Sequence, residues 1–148
     1  MADLHSIYNW HRIDDRITTS GQPSESQLMA IAASGVERII NLAPHDNPRA
    51  LPDEAASVAR LGMAYVNIPV DFKNPTEADF TAFCEALDEA TDVPVHVHCA
   101  ANYRVSAFFY RYRRDVLDMD PDIARAELEK IWQPDPVWSA FIGLPAPA

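Results

Sequence analysis

The sequence is poor in glycine, with 4 in 148 residues where an average chain carries about 7%. The glycine-rich loops that wrap nucleotide phosphates therefore have almost no material to be built from. Cysteine is equally scarce: Cys84 and Cys99 are the two in the chain. An intracellular chain of this size needs no disulfide, so both are expected to be reduced thiols. Basic residues are outnumbered, 12 Lys and Arg against 22 Asp and Glu, for a net charge of −10. Such a field repels nucleic acid and anionic membranes, so neither is expected as a partner, and any anionic substrate must be captured by local groups. No apolar run approaches the ~20 residues that cross a bilayer. The opening stretch, MADLHSIYNWHRIDD, lacks the basic start and apolar core of a secretory signal, which points to a cytoplasmic protein.

What is present is a globular balance of 48% hydrophobic and 23% charged residues. The length is close to the ~150 residues of one domain, so residues 1–148 are expected to form a single domain. No internal repeat or low-complexity tract divides them. Tyr8 to Ile13 and Ile17 to Ser20 read as short strands around a turn at Asp14 and Asp15. Ser24 and Gln27 have capping-box spacing and open a helix through Leu28 and Ile31 that Gly35 can terminate. Val36 to Ala43 follows, and its run Ile39, Ile40, Leu42 is the signature of a central strand covered on both faces.

Pro52 or Asp53 begins a second helix through Ala56 and Leu61, closed by Gly62, and Met63 to Val70 reads as another buried strand. Thr76 and Asp79 repeat the capping-box spacing. The helix they open presents Phe80, Phe83, Cys84 and Leu87 on one stripe, which makes Cys84 a small buried hydrophobe. Val93 to His98 is the next strand, and Ser106 to Leu117 suits an apolar helix packed on the sheet. Asp120 and Pro121 start a helix through Ile131. Pro134 and Pro136 interrupt before a segment whose Trp138 and Phe141 close the core. Alternating helices and strands of this kind make an α/β fold.

In open α/β sheets ligands collect beyond the carboxyl ends of parallel strands. Three loops then become candidates: PHDNPR with His45, Asp46 and Arg49; DFKNPT beginning at Asp71; and CAANYR from Cys99 to Arg104. A cysteine between a buried strand and a helix start faces unpaired backbone N–H groups and the positive helix end, which favour the thiolate. The N–H groups of Ala100, Ala101, Asn102 and Tyr103 can cradle phosphate oxygens, and Arg104 can complete the cradle with a bidentate fork. A plain buried cysteine followed by a surface arginine is the alternative on spacing alone.

The stretch VHVHCAANYRVSAF resembles the signature strand, loop and helix of cysteine-dependent protein tyrosine phosphatases, particularly their bacterial dual-specificity-like branch. TSGQPS, IINLAP and YVNIPV resemble upstream segments of bacterial members, so the resemblance runs from about Ile17 to about Trp138. The fold it implies is a three-layer αβα arrangement with a central, mostly parallel sheet of about four to five strands. The activity it implies is hydrolysis of phosphate monoesters without a metal or other cofactor. This sequence departs from the family pattern at one point. The family arginine lies six residues after the nucleophile, whereas Arg104 lies five after Cys99. Two registers are open. Aligned without a gap, Asn102 replaces the family's glycine, a role suited to the non-glycine residue that best accepts positive φ, and Ser106 takes the hydroxyl position. Arg104 then enters from the preceding helical position, turned by ~100°. With one loop residue deleted, Arg104 keeps its role and Val105 stands where the hydroxyl is expected.

The resemblance implies that Cys99 attacks phosphorus to form a phosphocysteine, Arg104 and the loop N–H groups stabilise the equatorial oxygens, and water releases phosphate. Asp71, 28 residues before Cys99, is the general-acid candidate, although a solvated carboxylate beside Lys73 is the bland explanation. Asp79 is explained by capping. Ser106 would donate to the thiolate and His98 would orient the loop. The expected partner is a phosphorylated small molecule or phosphoprotein. The shortened spacing motivates a second class, a weak or inactive domain that binds a phosphorylated ligand, and sulfur transfer on Cys99 is a third. His45, His96, His98 and Cys99 could ligate a metal, but they lack the paired spacings of structural zinc sites and read more simply as satisfied core groups. Tyr110-Arg111-Tyr112-Arg113-Arg114 mixes aromatic and basic residues and is expected to be a solvated helix face.

Overall fold

Apolar residues that face alternately to both sides of a strand need helices on both sides, and the chain supplies them. A computed structural model describes residues 3–144; the first two and last four residues of the expected 1–148 domain lie outside it. Five strands form one sheet: β1 (His11–Arg12), β2 (Ile17–Ser20), β3 (Arg38–Asn41), β4 (Ala64–Asn67) and β5 (Val95–His98). Their order is β1-β2-β5-β3-β4. β1 is antiparallel to β2, and every other pairing is parallel.

The helices are α1 (Glu25–Ala33), α2 (Glu54–Arg60), α3 (Glu77–Asp88), α4 (Tyr103–Arg111), α5 (Pro121–Glu129) and α6 (Pro136–Ile142). Ile39 packs with Leu28, Ile31 and Val58 from α1 and α2. Its neighbour Ile40 packs on the other face with Phe83, Phe108, Leu128 and Trp138 from α3, α4, α5 and α6. The continuous apolar run of β3 thus feeds two cores, and the expected three-layer, mostly parallel α/β fold is the one observed. Both capping boxes form, at Ser24 with Gln27 and at Thr76 with Asp79. None of the described helices is long and apolar enough to cross a membrane.

Four expectations are corrected. Only His11 and Arg12 of the segment Tyr8 to Ile13 pair as strand, because Asn9 turns the chain with φ 51°. β4 is an edge strand with exposed and half-buried positions, since among the described residues no strand pairs beyond it. Cys84 is half-buried at the margin of the larger core. The Tyr110 to Arg114 cluster is no solvated face: Tyr110 and Arg113 are buried, and the Arg111 guanidinium lies 4.1 Å from the Phe80 ring centroid while pairing with Glu77. A π turn over Tyr112–Val116 follows α4 directly and carries the buried Arg113.

Candidate active site

The carboxyl ends of β2, β3 and β5 point to one edge of the sheet, and the loop Cys99 to Asn102 leaves β5 there. Asn102 sits at φ 68°, ψ 6°, in the left-handed region, and caps the start of α4. Asparagine is among the few side chains that accept this conformation readily. The helix therefore begins at Tyr103, three residues earlier than the apolar pattern suggests, and places Arg104 in its first turn.

Side chains fix the loop from outside. The Asn102 Nδ2 group donates to Asn9 O (2.8 Å) and Thr19 Oγ1 (3.1 Å), while Asn9 Nδ2 donates back to Ala101 O (2.9 Å). Gln22 N donates to Ala100 O at 3.0 Å. This close approach requires Gly21, because a Cβ there would stand 2.6 Å from Ala100 O and 2.8 Å from Tyr8 Cδ2. The scarce glycine that the site needs lies beside the cysteine loop rather than in it.

All three candidate loops meet at a cavity of about 410 Å³. Ala100, Ala101, Tyr103 and Arg104 line it from the cysteine loop and α4, Pro44, Asp46 and Asn47 from the loop after β3, and Phe72 from the loop after β4. Arg104 is 8% exposed. Its Nη1 donates to Val70 O (3.0 Å), its guanidinium carbon lies 5.6 Å from the Phe72 ring centroid, and its buried Nε has no hydrogen-bond partner. An unpaired buried donor costs about 1–3 kcal/mol, which an anion in the cavity would offset.

The other expected site residues are placed as follows. Cys99 is fully buried, packs into the larger core and does not line the cavity. Asp71 is exposed, also stands outside the lining, and its Oδ1 accepts from Lys73 N (2.9 Å). The carboxylate that does line the cavity is Asp46. Ser106 donates its one hydroxyl proton to Tyr103 O (3.0 Å), as serines in a first helical turn do, so that proton is not directed to Cys99.

His98 faces two acceptors. Nδ1 donates to Cys99 O (3.1 Å), and Nε2 pairs with Glu54 Oε2 at 2.5 Å. Both side chains are buried, at 0% and 1% exposure, and Glu54 Oε1 also accepts from Gln22 Nε2 (2.8 Å). Burial alone would raise the Glu54 carboxyl, but the hydrogen bond and charge of His98, with Gln22, hold it below its ordinary range. His96 behaves oppositely. The Ser20 hydroxyl donates to Gly21 O, so it accepts from His96 Nε2–H (2.8 Å), and Thr18 Oγ1 donates to Nδ1 (2.7 Å). Burial first, and then the charge of His98, push His96 down to about 3, so it is neutral. Among the described residues no three His, Cys, Asp or Glu side chains gather as a metal site.

Sequence spacing missed Glu54, Gln22, Asn9 and Gly21. The one signal for Glu54 was an acidic residue in a helix's first turn, at the sheet edge where the candidate loops lie.

A mostly parallel α/β sheet whose middle strand runs through a cysteine loop into a helix, with an arginine over the adjoining cavity, defines the class of phosphatase-like α/β proteins. A family profile described as a DSP-PTPase phosphatase fused to NAD+ kinase matches residues 4–134, and the chain belongs to that family. It is 36% identical to a candidate phosphatase of Shewanella putrefaciens CN-32, over 95% of this chain and 92% of that one, with a TM-score of 0.85. A beta-lactamase hydrolase-like protein of Agrobacterium fabrum is 34% identical over 101 residues, 66% of this chain and 23% of the relative. The chain thus spans about a quarter of the length of the curated relatives it matches. P. aeruginosa TpbA, in a complex with pTyr, shares the fold at 18% identity and a TM-score of 0.70, over 87% of this chain and 75% of that one.

Proposed function

We propose that the chain hydrolyses phosphate monoesters with Cys99 as nucleophile. The observation that carries this reading is Arg104, buried over a cavity beside the cysteine loop with an unpaired Nε. The Cys99 thiolate attacks phosphorus in line, the bond from phosphorus to the ester oxygen breaks, and that oxygen takes a proton from Asp71. Water then attacks the phosphocysteine, the sulfur–phosphorus bond breaks and phosphate leaves. Arg104 and the N–H groups of Ala100 to Tyr103 hold the equatorial oxygens. His98 orients the loop through Cys99 O. Asp71 must turn inward to serve, and Phe72, the next residue, already lines the cavity.

A second reading rests on the burial of Cys99 and on the anchoring of Arg104 to Val70 O. Here the domain binds a phosphorylated small molecule or protein without turning it over. Hydrolysis of an aryl phosphate separates the two. Cys99→Ser is expected to lower kcat by ~10³-fold or more. Equal rates in the two proteins would sink the nucleophile assignment. Vanadate binding without any turnover by the wild type establishes the second reading.

A further inference from the structure

We propose that Glu54 is a positioning residue: its buried carboxylate holds His98 as an imidazolium, whose charge and hydrogen bond at the Cys99 carbonyl favour the Cys99 thiolate. This rests on the reading of Cys99 as nucleophile given above, and it extends that reading to α2, an element that supplies no residue to the cavity lining.

A neutral imidazole has one N–H and can satisfy one acceptor. His98 meets two, Cys99 O at Nδ1 and Glu54 Oε2 at Nε2, and neither atom can donate while Glu54 is ionised. Only the doubly protonated ring satisfies both. A buried ion pair is costly to assemble and is tolerated where the remaining lone pairs are also bonded. Glu54 meets that condition, since Oε1 accepts from Gln22 Nε2 and the carboxylate stands in the first turn of α2, where the helix dipole favours negative charge.

The surroundings leave His98 as the cation. His96, on the same strand with ring centroids 6.4 Å apart, is neutral and bonded to Thr18 and Ser20. Asn41, in register with His98 on β3, is uncharged, and its Nδ2 donates to Tyr65 OH on β4. Tyr65 OH also shares a hydrogen bond with His45 Nε2 and is pushed up to about 12 by burial, so it stays protonated. The N–H that His98 directs at Cys99 O polarises the Cys99–Ala100 peptide group and strengthens the Ala100 N–H as a donor at the loop.

The test is the thiolate ultraviolet absorbance of Cys99 against pH, taken as the difference between each protein and its Cys99→Ser counterpart. In Glu54→Gln the titration midpoint is expected to move up by about one pH unit, the low end of what a neighbouring charge produces. The acid limb of kcat/KM against pH should move with it. In a His98→Asn background the same Glu54 substitution should move neither, because Glu54 acts through His98. An unchanged midpoint in folded Glu54→Gln overturns the proposal, and so does a full shift that persists without His98. Should Glu54→Gln not fold, nitrogen-15 spectra of histidine-labelled wild type decide. Both ring nitrogens of His98 protonated between about pH 5 and 8 support the proposal, and a neutral ring overturns it. The absorbance and nitrogen-15 readouts need no turnover, so a wild type that fails to hydrolyse aryl phosphates refutes the catalytic reading while the dyad is still tested.

Discussion

On the sheet face covered by α3, α4, α5 and α6, Phe83 meets Phe108, Phe109 and Tyr112 edge-on, with ring centroids 5.4, 5.1 and 6.2 Å away. On the face covered by α1 and α2, the same strands bury two hydrogen-bonded groups side by side, Thr18 and Ser20 on His96, and His98 on Glu54. Aromatic burial is non-directional and yields stability, whereas a buried polar chain returns little net energy but fixes atoms in place. The cysteine loop hangs between the two, with Cys99 packed into the aromatic side and His98 bonded to the polar side. Both faces bury an apolar core, and the one under α1 and α2 also spends part of the free energy on geometry.

The largest effect should come from the aromatic side. Phe83→Ala empties a fully buried site and is expected to cost about 3–5 kcal/mol, read as a lower urea midpoint at unchanged m. A loss near 1 kcal/mol would mean that the two faces do not differ as argued.

The polar side should instead show itself through pH. His96 titrates near 3 when folded against its ordinary 6.5. The unfolded chain therefore binds the extra proton first, and stability falls as pH falls through 6.5. Integrated between pH 7 and 5 the loss is about 2 kcal/mol. Glu54 acts in the same direction at lower pH, since its folded value lies below its ordinary 4.5 and its contribution vanishes as the carboxylate protonates. Urea unfolding of wild type and His96→Gln at pH 7 and pH 5 checks this. The variant keeps polar groups for Thr18 and Ser20 but does not titrate, so its deficit should shrink at pH 5. A constant deficit would remove His96 as the source.

Local patterns carried most of the fold and part of the site. Both capping boxes, the alternating cores fed by Ile39 and Ile40, and the left-handed Asn102 follow from side-chain chemistry within a few residues, which is why sequence reveals them. The edge position of β4 was hidden, because an apolar run does not say whether another strand lies beyond it. Contacts across long stretches of chain were hidden too. Glu54 reaches His98 across 44 positions and Asn9 reaches Ala101 across 92, and neither leaves a periodic mark. The family resemblance implies a thiolate donor at Ser106. Its bond to Tyr103 O reflects the ordinary competition of a helix carbonyl for a serine proton.

The smallest stability change is expected where the two faces meet, at Asn102. Replacing it with glycine removes the bonds to Asn9 O and Thr19 Oγ1 but makes the left-handed backbone easier, for a net loss of about 1 kcal/mol. Asn102→Ala loses the same bonds and keeps an unfavourable Cβ, so it should fall about 1 kcal/mol below the glycine variant. Urea midpoints of the pair measure that difference. Vanadate binding measures the other half of the comparison: both variants release the loop that Asn9 and Thr19 hold, so affinity should drop at least tenfold, about 1.4 kcal/mol, although each stays folded. Phe83→Ala should show the reverse pattern, with a large loss of stability and nearly unchanged affinity in the protein that remains folded. Equal urea midpoints for the glycine and alanine variants would mean that position 102 does not adopt φ 68° in solution, and the shortened loop would then need a different path to Arg104.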